Sequence, residues 1–280
     1  MQRQRIGIVG IGLMGGSLSL ALKQSSQEYY FLALDHNAMH AKEALSLGLV
    51  DEVVHTLDEI RSCDIIILTI PVEGIIATIK KLHPLKSHCT VIDFGSTKEK
   101  ISQSIPDNIR HNFVTAHPMT GTEKHGPSAA FYRLYKDKTV VLCDIEKSGK
   151  HQRDVAKKLF LNLGMRLVYM NAKEHDRHAA FISHMPHAVS YALANSVMKQ
   201  EDNESIIALA GGGFKDMSRI AKSSPDMWGD IFRQNKDNLL QAIYAFESAL
   251  KSCRLMVEND EWDKLNLWMK EANTLHDILD

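Results

Sequence analysis

Short apolar runs rich in β-branched residues recur through the first half of the chain, at Ile6–Val9, Phe31–Leu34, Ile65–Ile70, Val91–Phe94, Phe113–Ala116 and Thr139–Leu142. Each reads as a strand. Segments with helical spacing lie between several of them, among them Leu18–Gln24, Ala38–Leu47 and Ile75–Leu82. Near-continuous apolar strands separated by helices predict a parallel sheet covered on both faces. A further helix over Gln152–Leu163 ends at Gly164, a fitting C′ residue, and Arg166–Tyr169 adds one more strand.

From about Asn171 the pattern changes. Strand-like runs become scarce and helical periodicity takes over. Pro225 suits a first helical turn, capped by Ser223 or Ser224. No proline follows between Asp226 and Glu258, and Leu239, Ile243, Phe246, Leu250 and Met256 approximate one apolar stripe. A helix of about 30 residues spans roughly 45 Å, which demands a partner surface in its own domain or on a second subunit.

Composition narrows the class. The 280 residues hold 44% hydrophobic and 24% charged side chains, the balance of an ordinary globular protein. Formal net charge is −1 and the basic residues are scattered, which argues against nucleic acid as a partner. Cys63, Cys89, Cys143 and Cys253 form no C-x-x-C pair, so no zinc site is expected. The amino terminus shows no signal-peptide pattern, and the longest apolar run, Ile65–Ile70, is too short for a bilayer. These features point to a reduced, cytoplasmic protein.

Gly10-Ile11-Gly12-Leu13-Met14-Gly15 follows the first strand and opens a helix near Gly16-Ser17. In a G-x-G-x-x-G loop the first glycine makes the turn, the second admits a pyrophosphate to the backbone and the third lets helix pack on strand. The helix N-terminus then faces the phosphates. Asp35 ends the next strand, placed to bond a ribose 2′-hydroxyl and to repel a 2′-phosphate. Thr69 and Pro71 fall on the edge that lines the cleft in such sheets. The expected cofactor site is therefore Gly10, Gly12, Leu13, Met14, Gly15, Asp35, Thr69 and Pro71, to which the family resemblance described below adds Ser96 near the nicotinamide, and the cofactor is NAD. The expected fold is α/β: an amino-terminal Rossmann dinucleotide-binding domain over residues 1–170, followed by an all-helical carboxy-terminal domain over residues 171–280.

The candidate chemistry centres on Val114-Thr115-Ala116-His117-Pro118, where a strand delivers one of 14 histidines to its end. Asp93-Phe94-Gly95-Ser96-Thr97-Lys98 closes the fourth strand, and Ser96 reads either as a helix cap or as a site residue. Ile182-Ser183-His184-Met185-Pro186 breaks a helix with a proline. Gly213-Phe214-Lys215-Asp216-Met217-Ser218-Arg219 offers a guanidinium, either for a surface ion pair or for a substrate carboxylate.

With the glycine loop, these segments resemble the prephenate/arogenate (cyclohexadienyl) dehydrogenase family of tyrosine biosynthesis. The motifs run in order from the first strand to Trp228. The resemblance implies a homodimer formed through the helical domain and no membrane association. It implies oxidative decarboxylation of prephenate to 4-hydroxyphenylpyruvate and CO2, with arogenate as the alternative substrate. It assigns His117 to the ring hydroxyl, Ser96 to its support, and His184, Arg219, Thr122, Glu123, Asp216 and Trp228 to the substrate pocket. Glu123 and Asp216 would pair with Arg219. Neither a chorismate mutase segment before the glycine loop nor an ACT domain after Trp228 is expected. Two rival readings differ in what they require. A β-hydroxyacid dehydrogenase or imine reductase would place a catalytic lysine where His175, His178 and His184 stand. A non-catalytic NAD sensor would not need Ser96, His117 and Arg219 together. Asp35 generates a direct prediction: kcat/KM is higher with NAD+ than with NADP+, and a steady-state comparison favouring NADP+ removes the role assigned to that carboxylate.

Overall fold

The computed structural model describes residues 3–25 and 27–279, and these form two compact units divided between Asn235 and Lys236. The first unit opens with β1 (Gln4–Val9), α1 (Leu13–Lys23), β2 (Tyr29–Leu34), α2 (Ala38–Ser46), β3 (Glu52–Val53), α3 (Leu57–Arg61), β4 (Ile65–Leu68) and α4 (Val72–Ile79). It continues through β5 (Thr90–Asp93), α5 (Glu99–Ser104), β6 (Phe113–Pro118), β7 (Thr139–Cys143), α6 (Lys150–Asn162) and β8 (Arg166–Met170). The eight strands form one sheet in the order β3-β2-β1-β4-β5-β6-β7-β8. The strand order reverses at β1 and β4, so the loops after these two strands flank the crevice where such sheets bind ligands.

The strands sit where the apolar runs placed them because each run feeds two cores. Ile65 and Ile67 of β4 enter one hydrophobic cluster, beneath Leu18, Leu22 and Phe160. Ile66 and Leu68 enter the other, with Ile60, Ile75, Ile79 and Ile101. A residue buried in either cluster contributes about 1.5–3 kcal/mol of transfer free energy, so both parities of the strand must be apolar. Gly164, at φ +73°, ends α6 as expected.

Three expectations are corrected. The sheet is not wholly parallel: β7 runs antiparallel to β6, pairing His117 with Val141, and β8 follows β7. The segment between β6 and β7 contains no helix of more than three residues and returns over α1, where the Tyr135 hydroxyl donates to Met14 O at 2.7 Å. Helix α1 starts at Leu13 rather than near Gly16, because Gly12 already serves as its N-cap. The long helix expected over residues 226–258 is two helices, α11 (Pro225–Gln234) and α12 (Lys236–Glu258). Asn235 leaves helical geometry between them, and its buried side-chain amide donates to the Asp176 carbonyl at 2.7 Å.

The remaining elements are helical, as expected. In the first unit, α7 (Ala172–Ala179) passes through one π-helical turn, Ala180–His184, into α8 (Met185–Gln200). Pro186 follows this turn, which absorbs the proline's missing N–H without ending the helix. Helices α9 (Asn203–Leu209) and α10 (Gly212–Ser218) precede α11. The second unit holds α12, α13 (Trp262–Asn273) and α14 (His276–Leu279). Tyr244, Leu250, Trp262 and Leu267 in this unit are exposed. No described helix is long and apolar enough to cross a membrane.

One buried ion pair locks the carboxyl edge of the sheet. Lys98, wholly buried, pairs with Asp93 at the end of β5 and donates to Ala116 O of β6 at 2.7 Å. The Asp93 carboxylate also accepts Gly95 N at 3.1 Å and Ala116 N at 3.2 Å. Burial pushes the Asp93 pKa up, while Lys98 and those two N–H groups pull it back. Removing one partner strands the other charge in the interior. Lys98→Met should therefore lose about 3–5 kcal/mol of stability, read by urea unfolding.

Candidate active site

The glycine loop has the geometry that its spacing demands. Gly10 adopts φ +92°, and a Cβ there would lie 2.8 Å from Thr69 O. A Cβ on Gly15 would lie 2.5 Å from Gly10 O and 2.8 Å from Ile8 Cγ2, so this glycine lets α1 rest on β1. Gly12 is different. A Cβ there would meet nothing nearer than Gly126 N at 4.0 Å. Helix α1 also has no side-chain cap and no acid in its first turn. Open space beside Gly12 and a bare positive helix end, at Leu13 and Met14, fit a dinucleotide pyrophosphate.

Asp35 is held firmly, with only 5% of its side-chain surface exposed. One oxygen accepts Ile11 N of the glycine loop at 2.8 Å and the other accepts Asn37 N at 2.8 Å. Asp35 and Pro71 both line a cleft of about 970 Å³, whose far wall comes from α11 through Met227, Gly229, Asp230 and Arg233. Arg233 pairs with Glu73, and the buried Asp230 accepts Glu73 N at 3.3 Å in the first turn of α4. The Thr69 hydroxyl, by contrast, donates to Gly10 O at 2.5 Å and thus braces the glycine loop.

His117 sits at the carboxyl end of β6 and is 9% exposed. Its Nδ1 lies 2.8 Å from His175 Nε2, and among the described residues no hydrogen bond reaches its Nε2. Burial holds the imidazole pKa well below its usual value, and the charges of His175, Lys98 and His184 push in the same direction. His117 is thus a neutral imidazole at neutral pH, with the properties of a general base. Ser96 is half-buried in the β5–α5 loop, and among the described residues no hydrogen bond engages its hydroxyl. It is not the cap of α5. That role falls to Asp176 of α7, which accepts Lys98 N at 2.7 Å and Glu99 N at 2.9 Å.

A second group lies on the helices. His184, in the π-turn, is 1% exposed and meets the Trp228 ring edge-on at 6.0 Å. Asn235 Nδ2 donates to His184 Nδ1 at 3.1 Å, which leaves the proton of the neutral ring on Nε2. Burial pushes the His184 pKa down to about 4, against the opposing pull of Asp176. His184 Nε2 and Trp228 Nε1 are both buried without a protein partner. Two buried N–H donors of this kind call for an acceptor on a ligand. His187 stacks on Trp228 at 3.5 Å between centroids, and burial together with the Arg219 charge holds its pKa down.

Residues 18–169 match the family described as "Prephenate dehydrogenase, nucleotide-binding domain", and residues 171–271 match "Prephenate dehydrogenase, dimerization domain". The chain belongs to the prephenate dehydrogenase family. A prephenate dehydrogenase of Bacillus subtilis is 30% identical over 99% of this chain and 76% of its own length. A cyclohexadienyl dehydrogenase of Zymomonas mobilis is 30% identical over 98% of each chain. The crystal structure of A. aeolicus prephenate dehydrogenase in complex with hydroxyphenyl propionate and NAD+ superposes with a TM-score of 0.92 at 33% identity, covering 100% of this chain and 99% of that one.

Within this family member, the fold gathers His117 and His184 around His175, and Trp228 and Arg219 around His187. Thr122 and Glu123 lie in the loop after β6, where the Thr122 hydroxyl accepts Lys124 N at 3.2 Å. Asp216 is exposed on α10. Among the described residues no ion pair joins Arg219 to Glu123 or Asp216, so the pairing expected from the resemblance is absent and the guanidinium stands free for an anion. Sequence reasoning did not assign roles to Lys98, His175, Asp176, His187 and Asn235. The neighbouring His175-Asp176 pair and the i, i+3 spacing of His184 and His187 were the only local signals. The two glycines should separate experimentally. Gly12→Ala should fold normally but lose at least about tenfold in NAD+ affinity by calorimetry, because it fills the pyrophosphate approach. Gly15→Ala should lower Tm as well, because its Cβ meets backbone and core.

Proposed function

We propose that this chain is an NAD+-dependent dehydrogenase that converts prephenate to 4-hydroxyphenylpyruvate and CO2, acting as a cytoplasmic homodimer in tyrosine biosynthesis. The observation that carries the reading is a buried, neutral His117 with one ring nitrogen fixed by His175 and the other bare. NAD+ bound at the glycine loop would supply the acceptor for the hydride on the ring carbon that bears the hydroxyl. His117 takes the hydroxyl proton at its bare Nε2 as the carbonyl develops. Decarboxylation then follows from aromatisation of the ring: the carbonyl takes up the electron pair of the breaking C–C bond and the proton returns from His117 Nε2 to its oxygen, so the protein needs to supply no other electron sink. Ser96, with a hydroxyl free of protein partners, supports His117 at the same edge of the sheet.

Prephenate carries two carboxylates. Arg219, free of protein ion pairs, suits one of them, and the paired N–H donors of His184 and Trp228 suit an oxygen of the same ligand. Thr122, Glu123 and Asp216 are assigned to the mouth of this pocket. Residues 1–170 hold the cofactor and residues 171–280 complete the substrate site and form the dimer, in keeping with the family description of that segment. The relative from Zymomonas mobilis bears the broader name cyclohexadienyl dehydrogenase, so arogenate is the substrate to compare.

Steady-state assays with both substrates test the reading: kcat/KM should be higher with prephenate than with arogenate. His117→Asn should lower kcat by about 10²–10⁴-fold with KM changed by less than about threefold. The folded-state pKa of His117 is lowered, so its neutral form persists below the ordinary histidine range. The acid limb of the wild-type kcat/KM profile should accordingly fall below about pH 6.5. Undiminished turnover in His117→Asn removes the residue from catalysis.

A further inference from the structure

Two buried side chains stand in a row behind His117. His117 Nδ1 lies 2.8 Å from His175 Nε2, and His175 Nδ1 lies 2.8 Å from Asp176 Oδ1. His175 and Asp176 are each 2% exposed. The far end of the row is fixed by backbone, because Asp176 also accepts Lys98 N and Glu99 N at the start of α5.

The protons in this row can be placed by counting donors and acceptors. A carboxylate that already accepts two backbone N–H groups presents only acceptors, so the proton between it and the ring sits on His175 Nδ1. Neutral His175 then has a bare Nε2. That nitrogen needs a donor, so His117 carries its proton on Nδ1 and keeps the Nε2 lone pair free. The other arrangement makes His175 a cation that donates to His117 and leaves the proton on His117 Nε2. It would add a second buried cation to a site where the Lys98 ammonium and His184 already face His117. Burying a second charge beside Lys98 opposes it, and the Asp176 carboxylate, already shared between two backbone N–H groups, offsets only part of that cost.

We infer that His175 and Asp176 are positioning residues that select the catalytic tautomer of His117. Asp176 sets the proton of His175, His175 sets the proton of His117, and the Nε2 lone pair is left to meet the substrate hydroxyl. During the reaction the hydroxyl proton passes to Nε2, the Nδ1 proton stays shared with His175, and Asp176 faces the new positive charge through one imidazole. No proton has to reach Asp176. The inference rests on the proposed role of His117 as base.

The test reads the tautomer without substrate. Full-length protein carrying ¹⁵N-labelled histidine is examined by NMR near neutral pH, with the His117 signals identified by their loss in His117→Asn. The wild type should show Nδ1 protonated and Nε2 bare. Asp176→Asn keeps an oxygen for α5 but turns an amide N–H toward His175. It should reverse the row, move the His117 proton to Nε2 and lower kcat by about 10²–10⁴-fold, the scale seen when a tautomer-fixing carboxylate is lost. KM for substrate and cofactor should change by less than about threefold. His175→Gln retains an acceptor that His175→Leu lacks, so its kcat should exceed that of His175→Leu by at least about tenfold. A wild-type His117 protonated on Nε2, a kcat near wild type in Asp176→Asn, or equal rates in the Gln and Leu variants would each overturn the inference. If Asp176→Asn does not fold, the wild-type spectrum and the Gln/Leu pair decide. The expected tautomer together with no turnover of either cyclohexadienyl substrate would overturn the proposed reaction and leave the relay standing.

Discussion

The ammonium of Lys98, held without solvent against Asp93, is the constraint around which the site is assembled. A buried lysine persists only if its donors and charge are answered, and here the answers come from β5 and β6 at once. The carbonyl that Lys98 grips belongs to Ala116, immediately before His117, so the pair sets where the histidine leaves the sheet. The same positive charge disfavours protonation of His117. One interaction thus fixes the position of the candidate base and adds to the burial and the His175 charge that keep it neutral.

The backbone around Lys98 is tied in turn to the helical segment. Asp176 caps α5 from α7, although it lies 78 residues away from Lys98 in the chain. Asn235 reaches back to the Asp176 carbonyl and to His184. Helix α11 presents Trp228 to His184 and His187, while Asp230 and Arg233 of the same helix meet α4 beside the cofactor cleft. The cleft beside Asp35 and the His184–Trp228–His187 group therefore share one helix.

Much of the fold was legible in the chain. The runs Ile65–Ile70 and Val91–Phe94 predicted central strands because burial on two faces leaves no polar parity, and both strands lie at the middle of the sheet. Edge elements were harder to see. Strand β3 has only two residues, both half-buried, and carries almost no hydrophobic pattern. The reversal at β7 left no mark either, since a strand's periodicity is the same in both directions. The split of the long helix was hidden because Asn235 breaks it through contacts with residues far off in sequence.

For the site, the sequence by itself determined the parts whose function is local. Gly10, Gly12 and Gly15 act through backbone geometry and the space at their own positions, and Asp35 follows the strand next to them, so spacing alone singled out a loop whose tight turn and close helix packing the fold bears out. Tertiary structure decided everything that depends on a neighbour. It moved the capping of α5 from Ser96 to Asp176, freed Arg219 from the expected acids, and put His175 behind His117. A histidine's tautomer and charge are set by the groups packed against it, and those groups come together only when β6, α5 and α7 meet.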